Sequence, residues 1–321
     1  MNEPRDSIQR EFEVTAADGE RRLDQVVSDW LPEHSRSRIQ GWIKSGALTL
    51  NGQKAKPRDK VHLADKVRIE AIIEGEERWE PQAIELDVVY EDEHLLVINK
   101  PVGLVVHPAA GHADGTLVNA LLHHAPTLDH IPRAGVVHRL DKETSGIMVV
   151  AKSLIAHTSL VEQLQERTMG REYEAIVTGT LTGGGTVDAQ IGRHPQQRKK
   201  MAVVETGKPA VTHYRLLERF SGHSYIRCKL ETGRTHQIRV HMAHIRHPLV
   251  GDPVYGGRPR FPSGTTEELR SALRQFRRQA LHARQLTLVH PESGEEMSWE
   301  TPLPSDFEDL LEALRAFERQ R

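Results

Sequence analysis

The 321-residue chain has one cysteine, Cys228, so it closes no disulfide within itself and offers no cysteine cage to a metal. No apolar run approaches the roughly eighteen residues that a membrane span requires. Its first residues, Met1-Asn-Glu-Pro-Arg-Asp, are polar and acidic where a secretory signal is basic and then apolar. Together with the lone thiol, they predict a cytoplasmic protein without a membrane partner. There is no Walker loop and no dinucleotide fingerprint. A formal net charge of −2 argues against indiscriminate binding to nucleic acid, while leaving room for a local basic face. What is present is length enough for two domains and an ordinary soluble balance of apolar and charged residues.

The most informative stretch runs from His138 to Gly146, His-Arg-Leu-Asp-Lys-Glu-Thr-Ser-Gly. It lies between apolar Val136-Val137 and the run from Ile147 to Ala151, which predicts a buried strand. Polar groups held at the edge of a core cost folding energy unless they are paired. On the residues alone, Asp141 fits a helix or turn cap and Arg139 a surface charge as well as either fits a functional site.

Residues 1 to about 18 show little pattern. Leu23, Val26, Val27, Trp30 and Leu31 share one helical face, and Pro32 stops that helix. A second helix is expected from an N-cap at Ser35 to Gly46, with Ile39, Trp42 and Ile43 inward and Arg36, Arg38 and Lys44 outward. Asn51-Gly52 is a strong hairpin signal, and Val67 to Ile69 closes the unit as a strand. Residues 74–85, rich in glutamate, lack hydrophobic periodicity and are expected to form an acidic linker between a domain spanning 1–73 and another spanning 86–321.

In the second domain, strands are expected at 86–90, 95–99, 147–151, 171–177, 211–217 and 224–230, and helices from Thr116 to His124 and after Ser153. The segment 171–177 alternates like a half-buried strand, in which Tyr173 is readily a core tyrosine. The stretch from Arg193 to Lys200 contains no apolar residue and reads as an exposed basic loop, with Lys199 and Lys200 as candidate RNA contacts. Thr235 is a candidate cap for a helix carrying His236, Ile238, Arg239 and Val240. His236, His241, His244 and His247 do not match metal-ligand spacing, so no metal is expected. A second basic region extends from Arg258 to Arg284. Thr265 with Glu268, and Ser305 with Glu308, read as capping boxes, the latter for a terminal helix with Leu310, Leu311 and Leu314 inward.

His-Arg-Leu-Asp followed by Thr-Ser-Gly resembles the active-site motif of the RNA pseudouridine synthases, in the branch that modifies large-subunit ribosomal RNA. Asn99-Lys100-Pro101 with Gly103 and His107-Pro108, the segment 171–177, and Gly233-Arg-Thr-His-Gln-Ile-Arg239 resemble further motifs of that family. The order helix, helix, hairpin with Ser35-Arg-Ser-Arg38 resembles the S4 RNA-binding domain, in which Arg36 and Arg38 would meet phosphate.

The resemblance implies an α+β pseudouridine synthase fold with a mixed, largely antiparallel central sheet, preceded by a small S4-like domain. It also implies a cofactor-free isomerase acting on large-subunit ribosomal RNA or a pre-ribosomal particle, with the helix 69 stem-loop as the expected region. Asp141 would be the nucleophile and Arg239, with Arg234 as the alternative, its ion-pair partner. Tyr173 would stack on the target uracil, and Arg139 would fill the space that the base vacates. Ile238 or Val240 would line the pocket, Arg234 would touch RNA, and Lys100 would serve as a buttress. A monomer without a protein partner is expected. A sister synthase acting on another ribosomal or transfer RNA uridine would keep every one of these catalytic residues, and a non-catalytic RNA chaperone would use the same basic surfaces without the pocket.

Overall fold

The computed structural model describes residues 7–32, 34, 36–72, 79–108, 114–197 and 200–321, apart from the side chains of residues 37 and 72. Ser35, Lys199 and residues 74–78 of the acidic stretch lie outside that set. The chain divides into two compact units, Met1–Arg78 and Trp79–Arg321.

The first unit contains β1 (Ser7–Glu13), α1 (Leu23–Trp30), α2 (Arg36–Ser45), β2 (Leu48–Leu50), β3 (Gln53–Lys54) and β4 (Lys66–Ile72). Its sheet runs β1-β4-β2-β3 and is antiparallel throughout. The two helices form because Leu23, Val26 and Val27, and Ile39, Trp42 and Ile43, recur at helical spacing, and all six are buried in one core. The β2–β3 turn places Asn51 and Gly52 at φ 52° and 73°, the left-handed pair that such hairpins need. Strand β1 was not expected. Ile8 and Val14 are buried, but exposed Arg10 falls on the same alternation and breaks the pattern.

The second unit follows with β5 (Val88–Glu91), β6 (Leu95–Lys100), α3 (Leu117–His124), β7 (Ser145–Ala151), α4 (Leu154–Glu166) and β8 (Gly170–Thr178). Next come β9 (Gly185–Asp188), β10 (Ile191–Arg193), β11 (Met201–Val203), β12 (Val211–Phe220) and β13 (His223–Leu230). The chain ends with α5 (Gln237–His244), α6 (Glu267–Gln275), β14 (Leu281–Val289), β15 (Glu296–Glu300) and α7 (Ser305–Arg319).

Among the described residues the main sheet runs β5-β6-β7-β14-β8-β13-β12-β9, with β15 also on β14. Every pairing is antiparallel except β7 with β14, so the sheet is mixed and largely antiparallel. That parallel contact joins His282 to Ser145 and Ala283 to Gly146, directly after the Asp141 loop. Gly146 sits at φ 116°, where a Cβ would stand 2.2 Å from the Ala283 carbonyl oxygen, so only glycine lets β7 lie this close.

Three expected helix starts differ. Helix α5 begins at Gln237 after left-handed His236, and Thr235 does not cap it; the side-chain Oε1 of Gln237 instead accepts from Thr232 Oγ1 and Arg234 N at 2.7 and 3.0 Å. Thr266, not Thr265, caps α6 by accepting from Leu269 N, and the Thr265 hydroxyl donates to the Pro262 carbonyl in the turn before it. Ser305 is the first residue of α7 rather than its cap, although Leu310, Leu311 and Leu314 pack inward as their spacing requires. Residues 79–85 are held against the second unit: Gln82 N donates to Asn119 O, Asn119 Nδ2 to Glu80 O, and Trp79 packs on its core.

Candidate active site

The loop bearing Asp141 is tied down at nearly every residue. Lys100, fully buried, donates its Nζ to the carbonyls of Pro101, Leu104 and Lys142 at 2.7, 3.0 and 3.1 Å, and Gly103 N also donates to Lys142 O. Burial pulls the Lys100 ammonium down to about 8, with Glu143 and Asp141 opposing. Arg278 reaches the Glu143 carbonyl, Gln279 Nε2 donates to Thr144 Oγ1, and Ser145 shares a hydrogen bond with His282. Val149 N donates to His138 Nε2, and burial holds that imidazole neutral, down to about 3.

On the other side, α5 brings Arg239 to Asp141. Arg239 Nη1 donates to Asp141 Oδ2 at 2.8 Å, while its Nε and Nη2 fork onto Asp252 at 2.7 and 3.0 Å. Arg234 instead donates to the Pro209 carbonyl, so Arg239 is the partner of Asp141. Asp252 also accepts from Val254 N and Tyr255 N, which fixes it in the Gly251–Gly257 turn. Burial alone would raise the Asp252 carboxyl, but Arg239 and these backbone donors hold it below the usual range. Burial also works against the charge on Arg239, and pairing with Asp252 and Asp141 more than offsets it.

Tyr255 lies under the guanidinium, 5.1 Å from ring centroid to Arg239 Cζ, and shares a hydrogen bond with His236 Nδ1. His236 Nε2 stands 3.8 Å from Asp141 Oδ1; burial, with Asp141 opposing, keeps that imidazole below its ordinary value.

Asp141 opens onto a cavity of about 850 Å³ lined also by Arg139, Arg171, Tyr173, His236 and Ile238. The volume falls within the ~300–1,000 Å³ range of small-molecule pockets. Tyr173 enters it from β8, and burial, with Arg171 opposing, raises its phenol. Arg139 is exposed at the cavity and makes no ion pair among the described residues.

Ile238 and Val240 part company here. Ile238 lines the cavity, whereas Val240, about 200° further round the helix, is buried with Ile191 and Ala210 under the β10–β11 hairpin. Val240 is therefore not a pocket residue. Of the basic stretch 193–200, Arg193 ends β10 and Lys200 is half-buried, its carbonyl accepting from His194 N, while residues 198 and 199 lie outside the described set.

In the first unit, Arg36 donates Nε and Nη2 to buried Asp24 at 3.0 and 2.9 Å, so one of its duties is structural. Arg38 is half-buried on the same helix. The later basic region is likewise partly committed: Arg278 forks onto Asp306, and Arg270 and Arg274 stand over Phe261.

Three contributors escaped the sequence reading: Asp252, Tyr255 and Arg171. Asp252 left a faint signal, a lone carboxylate in a glycine- and proline-rich turn soon after the Arg239 helix. A carboxylate buried there needs a cation.

Residues 94–244 match the family described as RNA pseudouridylate synthase, and residues 21–67 match the S4 domain. The ribosomal large subunit pseudouridine synthase D of Pseudomonas aeruginosa is 62% identical over 310 residues, 97% of either chain. The proteins of that name from Shigella flexneri and Xanthomonas campestris are 59% and 54% identical, over 92% and 98% of this chain and 91% and 95% of their own. Among solved structures, human RNA Pseudouridylate Synthase Domain Containing 4 is 30% identical with a TM-score of 0.57, covering 71% of this chain and 93% of its own.

Proposed function

Since the chain belongs to the RNA pseudouridylate synthase family, and so is an isomerase with an S4 domain, we propose that it converts uridines of large-subunit ribosomal RNA, in the helix 69 stem-loop, with Asp141 as nucleophile. The proposed substrate rests on relatives whose names carry the large ribosomal subunit. One observation supports the chemistry above all. Asp141 is 18% exposed, faces a cavity large enough for an extruded nucleotide, and is held by a guanidinium that is itself clamped from behind.

The reaction breaks the bond between uracil N1 and ribose C1′ and joins C5 to C1′. N1 gains a proton and C5 loses one, so substrate and product have the same composition and neither oxidant nor phosphoryl donor is consumed. A carboxylate that attacks C1′ holds the ribose while the freed uracil turns within the pocket, and one that attacks C6 holds the base itself. Arg239 pairs with Asp141 and aims it, being too basic to lose its own proton. Tyr173 covers the flipped uracil, Arg139 takes the place vacated in the stack, and Ile238 closes one wall of the pocket.

The test is incubation of purified protein, without added metal or nucleotide, with a large-subunit RNA fragment containing helix 69, followed by mapping of pseudouridine. Product in that stem-loop is expected from the native chain, and RNA binding without product from Asp141→Asn. Product confined to other uridines would remove the proposed substrate, and turnover by Asp141→Asn would remove the proposed nucleophile.

A further inference from the structure

Among the described residues three arginines are buried: Arg171, Arg239 and Arg278. Arg239 is clamped by Asp141 and Asp252, and Arg278 forks onto Asp306. Arg171, only 6% exposed, has no carboxylate among the described residues. Its Nη2 reaches no closer than 3.5 Å to the Glu231 carbonyl, and its buried Nε has no acceptor. The Glu231 carboxylate is turned away to Arg167 and His213 at 3.0 and 2.7 Å.

A buried cation left without a counter-charge destabilises the resting protein. The chain nevertheless makes room for it. Gly233 has no side chain, and a Cβ there would stand 2.7 Å from Arg171 Nη1. Burial pulls this guanidinium below its ordinary value.

Arg171 also lines the active-site cavity, on the same face of β8 as Tyr173 and about 6.7 Å along the strand from it. Both Arg171 and Asp141 act electrostatically on the Tyr173 phenol. A base lying on Tyr173 therefore has the nucleophile and this unpaired cation within reach.

The reaction moves charge in the direction that this arrangement suits. If Asp141 attacks C1′, its oxygen gains a bond, the N1–C1′ electron pair stays with the ring, and uracil becomes an anion spread over its ring nitrogen and carbonyl oxygens. If Asp141 attacks C6, the C5–C6 π pair moves through C4 to its oxygen as an enolate. Either way one negative charge leaves the carboxylate, where Arg239 stands, and arrives on the ring. We propose that Arg171 receives that charge, pairing with the anionic uracil of the intermediate and with little in the ground state. The inference rests on Asp141 being the nucleophile and Tyr173 the base platform. A cation aimed at charge that exists only during the reaction is complementary to the transition state rather than to the substrate.

The experiment replaces Arg171 by Met, which keeps the apolar stem and removes the charge, and reads turnover and melting temperature on the full chain. The expected result is a kcat lower by roughly 10²–10³-fold with KM little changed, together with a melting temperature higher by about 2 °C or more as the unpaired charge disappears. Arg171→Lys should restore part of kcat, and added guanidinium should partly rescue Arg171→Ala. Unchanged kcat in Arg171→Met, or a loss of kcat matched by a lower melting temperature and indifferent to guanidinium, would overturn the inference while the native enzyme still forms product. No product from the native chain on any ribosomal fragment would strike the parent reading and take this inference with it.

Discussion

Asp24 of the first unit and Asp141 of the second are both held against arginine, and the two are finished differently. Asp24 of the first unit is wholly sequestered and saturated: Arg22 donates to both its oxygens, Arg36 donates twice to Oδ2, and Gln40 donates at 2.6 Å. Asp141 of the second unit accepts from one guanidinium nitrogen, keeps its other oxygen 3.8 Å from His236, and remains partly open to the cavity. In the second unit it is Arg239 that is fastened, each of its three nitrogens donating to one of two carboxylates. A carboxylate whose lone pairs are all used is a fastener; one whose partner is fastened while it stays under-coordinated is available to react.

That contrast is easiest to break at Asp141 itself. Asp141→Asn should lower pseudouridine formation by at least ~10⁴-fold while RNA affinity and melting temperature hold, since Arg239 keeps Asp252. A variant that melts well below the native chain would place Asp141 with Asp24 among the fasteners. The converse is Asp24→Ala, which strands two guanidinium groups. Because both groups are nearly half exposed, it should destabilise the first unit by about 1–2 kcal/mol, read by denaturant titration, and leave kcat on saturating RNA unaltered. Loss of kcat without loss of stability would reverse the assignment.

The clamp behind Arg239 gives an intermediate case. Asp252→Asn keeps the shape but halves the negative charge facing the guanidinium and leaves one amide oxygen where two carboxylate oxygens accepted. A fall in kcat of roughly 10²-fold is expected from misplacement, with a modest loss of stability in thermal melts. If kcat is native, the backing carboxylate does not aim Arg239, and the difference between the two acids is not one of preorganisation.

Much of this could be read from the chain beforehand because it is written in local pattern. Helices α1 and α2, the Asn51-Gly52 hairpin and strands β7, β8, β12 and β13 follow from apolar spacing and turn chemistry. Asp141 and Arg239 stood out by motif, although they are 98 residues apart. What stayed hidden is long-range. Strand β14 contains buried His282 within Leu281–Val289, which blurs its alternation, and its parallel seat beside β7 leaves no local trace. Strand β8 read as half-buried, yet Glu174 on its far face is buried against Tyr225 and Arg227, so both faces are covered. That same misreading concealed Arg171, which looked like the polar residue of an amphipathic strand. Val240 was drawn to the pocket by closeness in sequence to Ile238, where the helical turn sends it the other way.

The smallest effect separates the units by pH. In the second unit, burial brings His223 and His282 down to about 4 and His138 to about 3. Each stays neutral when folded, whereas the unfolded chain takes up protons near pH 6.5. Below that value the unfolded state binds more protons than the native one, so the second unit loses stability progressively as pH falls from about 6.5 towards 4. Asp24 works in a lower window. Burial would raise its carboxyl, but Gln40, Arg36 and Arg22 hold it below its usual value. The stability it adds is complete above the ordinary carboxylate range and is lost only as pH drops through its depressed folded value. Between pH 6.5 and 4 the first unit should therefore hold while the second softens. Denaturant titrations at stepped pH, with Trp42 reporting on the first unit and Trp299 on the second in variants that retain one tryptophan each, should show the second midpoint drifting down by itself. Parallel drift of both reporters would mean that the buried imidazoles of the second unit do not set its acid sensitivity, and that the two units differ only in how their carboxylates are finished.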